Sequence, residues 1–263
     1  MTDWTGKRII ITGAASGIGA STAQILTAAG ARVYSLDRNE PTVEVTGHIA
    51  VDLADEASID SAVEQLDGEF DALLNVAGVP GTAPAEVVFS VNSLAVRHLT
   101  EALMGRLVSG ASIVVVSSTA GFGWPSRLDA IKEVLATETF GEGLQWFKEN
   151  PQEGNAYNFS KEVSTVYTMM MGLGLAGQGL RINAILPGPV DTPILSDFEQ
   201  TMGKDTLDGV RDLVGRHAVP IDIARAIVFL ASEEAGWING HALAVDGGIS
   251  GALATDLFPQ PEI

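Results

Sequence analysis

The run Arg8–Thr12 (RIIIT) passes straight into Gly13-Ala14-Ala15-Ser16-Gly17-Ile18-Gly19, and this junction constrains the chain more than any other feature. A short β-branched apolar run stopped by glycine reads as a buried strand. From Ile18 to Ala28 the apolar residues take helical spacing and stop at Gly30, a C-cap candidate. The glycines between permit a tight turn in which backbone can approach a pyrophosphate, and the helix behind it points its N-terminus at the phosphates. The spacing is G-x-x-x-G-x-G, not the G-x-G-x-x-G of the ordinary dinucleotide fingerprint. Gly13, Ser16, Gly17, Ile18 and Gly19 are thereby the candidates for phosphate contact.

The alternation continues down the chain. Strands are predicted at Arg32–Leu36, His48–Val51, Ala72–Asn75, Ser112–Ser117, Arg181–Leu186 and Ala242–Val245. Helices are predicted at Ala57–Leu66, Val91–Leu107, Tyr157–Leu175 and Ile221–Ala231. Strands alternating with helices specify an α/β fold: a doubly wound parallel sheet of Rossmann type with helices on both faces. No linker, repeat or low-complexity tract divides residues 1–263, so a single domain is expected, and 46% hydrophobic residues suffice for its core.

Asp37 closes the second strand. A carboxylate there can accept hydrogen bonds from the adenosine ribose hydroxyls and repel a 2′-phosphate, which favours NAD over NADP. Arg38 beside it works against that preference, because an arginine can accept a 2′-phosphate.

TGAASGIG (Thr12–Gly19), Asp52-Leu53, NVAG (Asn75–Gly78), Asn92, Ser117-Ser118, YNFSK (Tyr157–Lys161), PGPVDTP (Pro187–Pro193) and VDGG (Val245–Gly248) occur in this order over nearly the whole chain. Together they resemble the short-chain dehydrogenase/reductase family. The resemblance implies that Asp52 and Leu53 meet the adenine, and that Asn75, Ala77 and Gly78 lie against the adenosine ribose. It implies that Pro187, Gly188, Val190 and Thr192 grip the nicotinamide carboxamide. It also implies that Asn92, on a helix, holds a water linking Lys161 to solvent. The short interval from Gly78 to Asn92, the long one from Ser118 to Tyr157, and the ending DGGI resemble the bacterial 3α-hydroxysteroid dehydrogenase/carbonyl reductase branch.

The chemistry follows from the residue types. Reducing a ketone needs a proton donor at oxygen while hydride arrives at carbon. A free phenol, with a pKa of about 10, is too weak a base near neutrality. Tyr157 and Lys161 stand one helical turn apart on a shared face, so the ammonium, with a positive nicotinamide ring, is expected to lower the phenol towards working pH. Lys161 also reaches the nicotinamide ribose if the family pattern holds. Ser118, just past the fifth strand, can hydrogen-bond the substrate oxygen. Ser117 points the other way and is read as structural. With the Asn92 that the resemblance implies, the catalytic set is Asn92, Ser118, Tyr157 and Lys161.

Residues 122–156 fill the long interval before Tyr157. Leu128, Ile131, Val134 and Leu135 predict one helix there, and Phe140, Leu144, Trp146 and Phe147 a second. This insertion is read as packing on the domain body, covering the substrate pocket or shaping a subunit interface. A homodimer is expected before a homotetramer. Residues 194–215 read as a substrate lid, with Met202 and Leu207 facing a bulky apolar substrate. No arginine stands ready for a substrate carboxylate or phosphate, which points to a neutral alcohol or ketone such as a steroid or terpenoid.

Composition closes other routes. A net charge of -18 repels nucleic acid and anionic membranes. No cysteine is present, so disulfides and thiolate chemistry are excluded. The four histidines form no metal-ligand pattern. Neither a leader segment nor a membrane-length apolar run is read, which places the protein in the cytoplasm. Two rival functions make different demands on the sequence. An extended-type sugar epimerase or dehydratase would carry a G-x-x-G-x-x-G turn. A non-catalytic NAD-binding regulator would typically have lost the tyrosine or lysine.

Overall fold

The computed structural model describes residues 2–255 and Leu257, with the backbone but not the side chain of Met202. Seven strands form one parallel sheet in the order β3-β2-β1-β4-β5-β6-β7. They are β1 (Arg8–Thr12), β2 (Arg32–Asp37), β3 (Gly47–Ala50), β4 (Phe70–Asn75), β5 (Leu107–Val116), β6 (Arg181–Pro187) and β7 (Ala242–Val245). This is the doubly wound topology expected from the sequence, with its reversal point between β1 and β4.

Alternation along each strand builds two cores. Ile9, Ile11, Ala72, Leu74, Val114 and Val116 face one side, under α1 (Gly17–Ala28) and α10 (Pro220–Ala231). Ile10, Leu73, Ile113 and Val115 face the other. There they meet Ile59 of α2 (Glu56–Gln65), Leu99 of α4 (Ala95–Leu103) and Phe159 and Val163 of α7 (Ala156–Ala176). All these side chains are fully or almost fully buried, so the strands read as continuous apolar runs.

Two elements depart from the sequence reading by more than two residues. The helix predicted from Val91 starts instead at Ala85, as α3 (Ala85–Phe89), and passes through a π turn (Ser90–Leu94) into α4, which ends at Leu103. Pro84 stands at the N-cap position, where the lack of an N–H costs nothing. β5 begins at Leu107, not Ser112, because Leu107 pairs with Phe70 across a register irregularity.

The insertion forms α5 (Leu128–Leu135) and α6 (Phe140–Glu149) after a 3-10 segment, Thr119–Arg127. Both helices pack on the domain body: Phe147 stacks on Phe89 at 4.2 Å between ring centroids, and Ile131, Val134 and Phe140 join the core beneath α7. Residues 194–215 form α8 (Leu195–Met202) and α9 (Lys204–Val214), divided at Gly203, whose φ of 87° a glycine adopts without strain. A last helix, α11 (Ile249–Ala254), was not anticipated.

Candidate active site

A cleft of about 1080 Å³ opens along the carboxyl ends of the strands. At one end lie Asp37, Arg38, Asp52 and Leu53, in the middle the glycine turn, and at the other end Ser118, Tyr157 and Lys161. Ligands of open α/β sheets bind at this edge.

The glycine turn is held by close backbone packing. A Cβ on Gly13 would lie 2.8 Å from the Ala77 Cα, and one on Gly19 would lie 2.0 Å from the Gly13 carbonyl oxygen. Thr12 Oγ1 accepts hydrogen bonds from the amides of Val76 and Ala77, at 2.9 and 3.0 Å, which ties the ends of β1 and β4 together. Ser16 is the N-cap of α1, yet its side chain caps nothing, and the first turn holds no acidic residue. The leading amides of α1 therefore remain available to an anion at the positive end of the helix dipole. This cradle fits a dinucleotide pyrophosphate. Asp37 accepts from the Ala15 amide at 3.0 Å and from the Asn39 amide at 3.0 Å, so its carboxylate is anchored to the turn it faces. Across the cleft, Thr192 comes to 3.4 Å of where a Gly17 Cβ would stand, and Pro187, Gly188 and Val190 line the same wall.

Helix α7 is N-capped by Asn155, whose carboxamide oxygen accepts the Tyr157 amide at 2.8 Å. This N-cap fixes the turn that carries the phenol. The Ser118 hydroxyl lies near enough to the Tyr157 phenol to favour its ionised form, and Ser118 Oγ accepts from the Ala120 amide at 3.2 Å. Lys161 is 4% exposed, donates to the Val116 carbonyl at 2.9 Å, and holds its ammonium 5.7 Å from the Tyr157 ring centroid. Ser117 is buried, donating to the Lys161 carbonyl and bonded to Thr165. Its structural reading agrees with these contacts.

The electrostatics differ from expectation in one respect. Burial pushes the Tyr157 phenol up to about 12, with the neighbouring Ser118 hydroxyl pulling the other way, and burial pushes the Lys161 ammonium down to about 8. The expected lowering of the phenol is absent because desolvation of a phenolate outweighs the pull of the Ser118 hydroxyl. The further positive charge on which that expectation rested belongs to an oxidised nicotinamide.

Of the residues singled out from sequence, two do not line the cleft. Asn75 is buried behind it and donates to Thr100 Oγ1 at 3.1 Å. Asn92 lies in the π turn; its carboxamide accepts the Val79 amide and donates to the Val79 carbonyl and to Ser160. It stands next to Lys161 across Gly78, where a Cβ would meet Asn92 Oδ1 at 3.3 Å and Lys161 Nζ at 3.4 Å. Within the insertion, Phe122 and Asn155 line the cleft, and nothing from α5 or α6 does. Leu207 lines it too, whereas the Met202 side chain lies outside the described residues.

Sequence reasoning missed Asn155, although an asparagine two residues before a helical tyrosine is an N-cap signal. It also missed Phe198 of α8, which meets the Tyr157 ring edge-on at 5.2 Å. Thr82 Oγ1 donates to Asp197 beside it at 2.6 Å, joining the loop after β4 to α8. No local pattern announces either contact.

Residues 7–127 match the family model described as short chain dehydrogenase, and residues 148–250 match that described as Enoyl-(Acyl carrier protein) reductase. The chain belongs to the short-chain dehydrogenase/reductase family of oxidoreductases, and Ser118, Tyr157 and Lys161 lie together at one end of its cleft. Among its relatives, coniferyl-alcohol dehydrogenase from Pseudomonas sp. is 40% identical over 248 residues, covering 94% of this chain and 97% of that protein. The 3-alpha-hydroxysteroid dehydrogenase/carbonyl reductase of Comamonas testosteroni is 27% identical, covering 95% and 99%. The crystal structure of 3-alpha-hydroxysteroid dehydrogenase from Pseudomonas sp. B-0831, complexed with NADH, superposes with a TM-score of 0.82 at 30% identity, over 96% of this chain and 100% of that one. Among the described residues no helix is long and apolar enough to cross a membrane, and no group of His, Cys, Asp or Glu could hold a metal ion.

Proposed function

We propose that this protein interconverts a secondary alcohol and a ketone with NAD(H), on a bulky neutral cyclic substrate such as a steroid or terpenoid. The observation that carries the reading is the clustering of Ser118, Tyr157 and buried Lys161 at one end of the cleft. Tyr157 holds the proton for the substrate oxygen at its phenolic oxygen. Ser118 keeps its own hydroxyl proton available for that same oxygen while the Ala120 amide fixes its lone pair. The nicotinamide supplies the hydride acceptor or donor. Asn92 supports the site from behind Lys161, across Gly78, while Asn75 ties β4 to α4 through Thr100.

The preference for NAD rests on the Asp37 carboxylate, anchored to the glycine turn at the adenosine end. Neutrality of the substrate rests on charge. Among the described residues lining the cleft, the cationic side chains are Arg38, at the far end, and Lys161, which is buried. A substrate carboxylate would find no partner at the reacting end. The coniferyl-alcohol dehydrogenase relative favours a second reading, oxidation of a primary alcohol carried on an aromatic side chain. Self-association is supported by an exposed apolar patch: Met170 and Leu173 of α7 lie beside the loop of Trp237, bonded through Asn239 to the Gly172 carbonyl.

The test is NADH consumption over a panel of cyclic ketones, steroids and coniferyl aldehyde, with wild type and Tyr157→Phe. Turnover that collapses in the variant while NADH still binds supports the reading, and the substrate that turns over decides between its two forms. Turnover that survives in Tyr157→Phe removes the phenol from its role. NADH binding with no turnover on any compound favours the regulator instead.

A further inference from the structure

Glu162 follows the catalytic lysine on α7, and the mechanism above makes no use of it. It is 2% exposed, an unusual position for a carboxylate. Its partner is Arg127, the last residue of the 3-10 segment that runs on from Ser118, at 2.6 Å. Arg127 spends its other nitrogen on the Glu153 carbonyl at 2.9 Å and lays its guanidinium over Phe159, 5.3 Å from the ring centroid. The second carboxylate oxygen of Glu162 has no hydrogen-bond partner among the described residues. A buried ion pair left partly unsatisfied contributes little stability compared with apolar packing of the same volume, but it does fix direction, since both groups lose heavily if the other moves away.

What the pair directs is the segment carrying Ser118. That segment lies flat on α7 because two glycines allow it. A Cβ on Gly121 would stand 2.6 Å from Thr165 Oγ1 and 2.9 Å from the Lys161 carbonyl oxygen, and one on Gly123 would stand 2.5 Å from Glu162 Oε1. Ser117 secures the near end of the segment to the Lys161 carbonyl. Arg127 and Glu162 secure the far end. Neither of them lines the cleft.

Resting on the function proposed above, we infer that Arg127 and Glu162 are positioning residues for hydride transfer: their buried ion pair pins the segment after β5 to the catalytic helix and thereby holds the Ser118 hydroxyl against the Tyr157 phenol. The test uses the full chain with NADH bound, as Glu162→Gln, Arg127→Met and the apolar double variant Arg127→Met/Glu162→Leu, each with and without Ser118→Ala. The chain has three tyrosines, so ring-carbon-labelled tyrosine gives a Tyr157 resonance assignable by its loss in Tyr157→Phe, and this readout needs no substrate. The expected result is that the pair variants move the Tyr157 resonance towards its position in Ser118→Ala and lower kcat at least fivefold, with NADH affinity unchanged. In the Ser118→Ala background the same variants should then add nothing, because coupled residues are non-additive. A resonance that stays in place in the folded double variant, or a loss of equal size in both backgrounds, overturns the inference and makes the pair a structural contact. A Ser118→Ala variant of normal kcat would instead count against the function of Ser118, whatever the pair does to the resonance.

Discussion

Replacing Lys161 with methionine should abolish turnover and yet make the protein more stable at neutral pH. The ammonium is buried, and among the described residues no carboxylate pairs with it; its recorded partner is the Val116 carbonyl. Burial lowers it from 10.5 to about 8, which corresponds to about 3 kcal/mol of unfavourable charge burial in the folded state. Methionine fills similar space without charge. The Val116 carbonyl loses its donor, at a cost of about 1 kcal/mol, leaving a net gain of about 2 kcal/mol at pH 7. The pH dependence has a definite sign. Between about 8 and 10.5 the folded state binds fewer protons at Lys161 than the unfolded chain does, so wild-type stability rises with pH through that window. The advantage of the variant should therefore shrink by about 1 kcal/mol from pH 7 to pH 9. The raised Tyr157 acts in the opposite direction only above pH 10, outside this range. Urea unfolding of both proteins without cofactor at pH 7, 8 and 9 measures the effect. A variant no more stable than wild type at pH 7, or an advantage that stays flat with pH, would refute the idea that the site holds its lysine at a cost in folding energy.

Asp37→Ala should lower the ratio of kcat/KM for NADH over NADPH about tenfold or more, since the anchored carboxylate is gone while Arg38 remains; an unchanged ratio would show that Asp37 does not choose the cofactor. Gly13→Ala must place a methyl within 2.8 Å of the Ala77 backbone at a φ of 76°, and a loss of about 2–4 kcal/mol in urea unfolding is expected. Thr82→Val removes the hydrogen bond to Asp197; because that bond is exposed, only about a threefold rise in substrate KM with little change in kcat is expected.

The parts legible in the sequence are those in which local chemistry and tertiary role coincide. RIIIT must be a buried strand wherever it packs, and the glycines after it serve a turn that nothing larger fits, because Ala77 lies against Gly13. Tyr157 and Lys161 lie within one helix, so their spacing alone places them together. What escaped depends on distant contacts. Phe198 and Tyr157 meet because α8 folds back over the cleft, and Arg127 finds Glu162 across the insertion. Asn75 belongs to the family pattern, yet strand alternation turns its side chain behind the cleft, towards Thr100. The stretch from Leu195 to Val214 read as a lid because of its glycines and charges; its two helices are amphipathic but poor in apolar residues, so their periodicity was masked by their overall polarity.

The strand order has a bearing on how the molecule comes into being. β1 is synthesised first but sits in mid-sheet, and it acquires its second neighbour, β4, only after β2 and β3 have been laid down on its other side. Each parallel pairing must close a long crossover before its contacts form, which makes such sheets slow to assemble. The cofactor cradle arises early, from β1, α1 and β2, whereas Tyr157 and the Pro187–Thr192 wall arrive with the second half of the chain. A nascent chain would thus hold a half-built nucleotide site well before it holds any means of catalysis. Dinucleotide added during refolding could be captured by that early half and act as a template, speeding recovery of the native state as well as stabilising it afterwards.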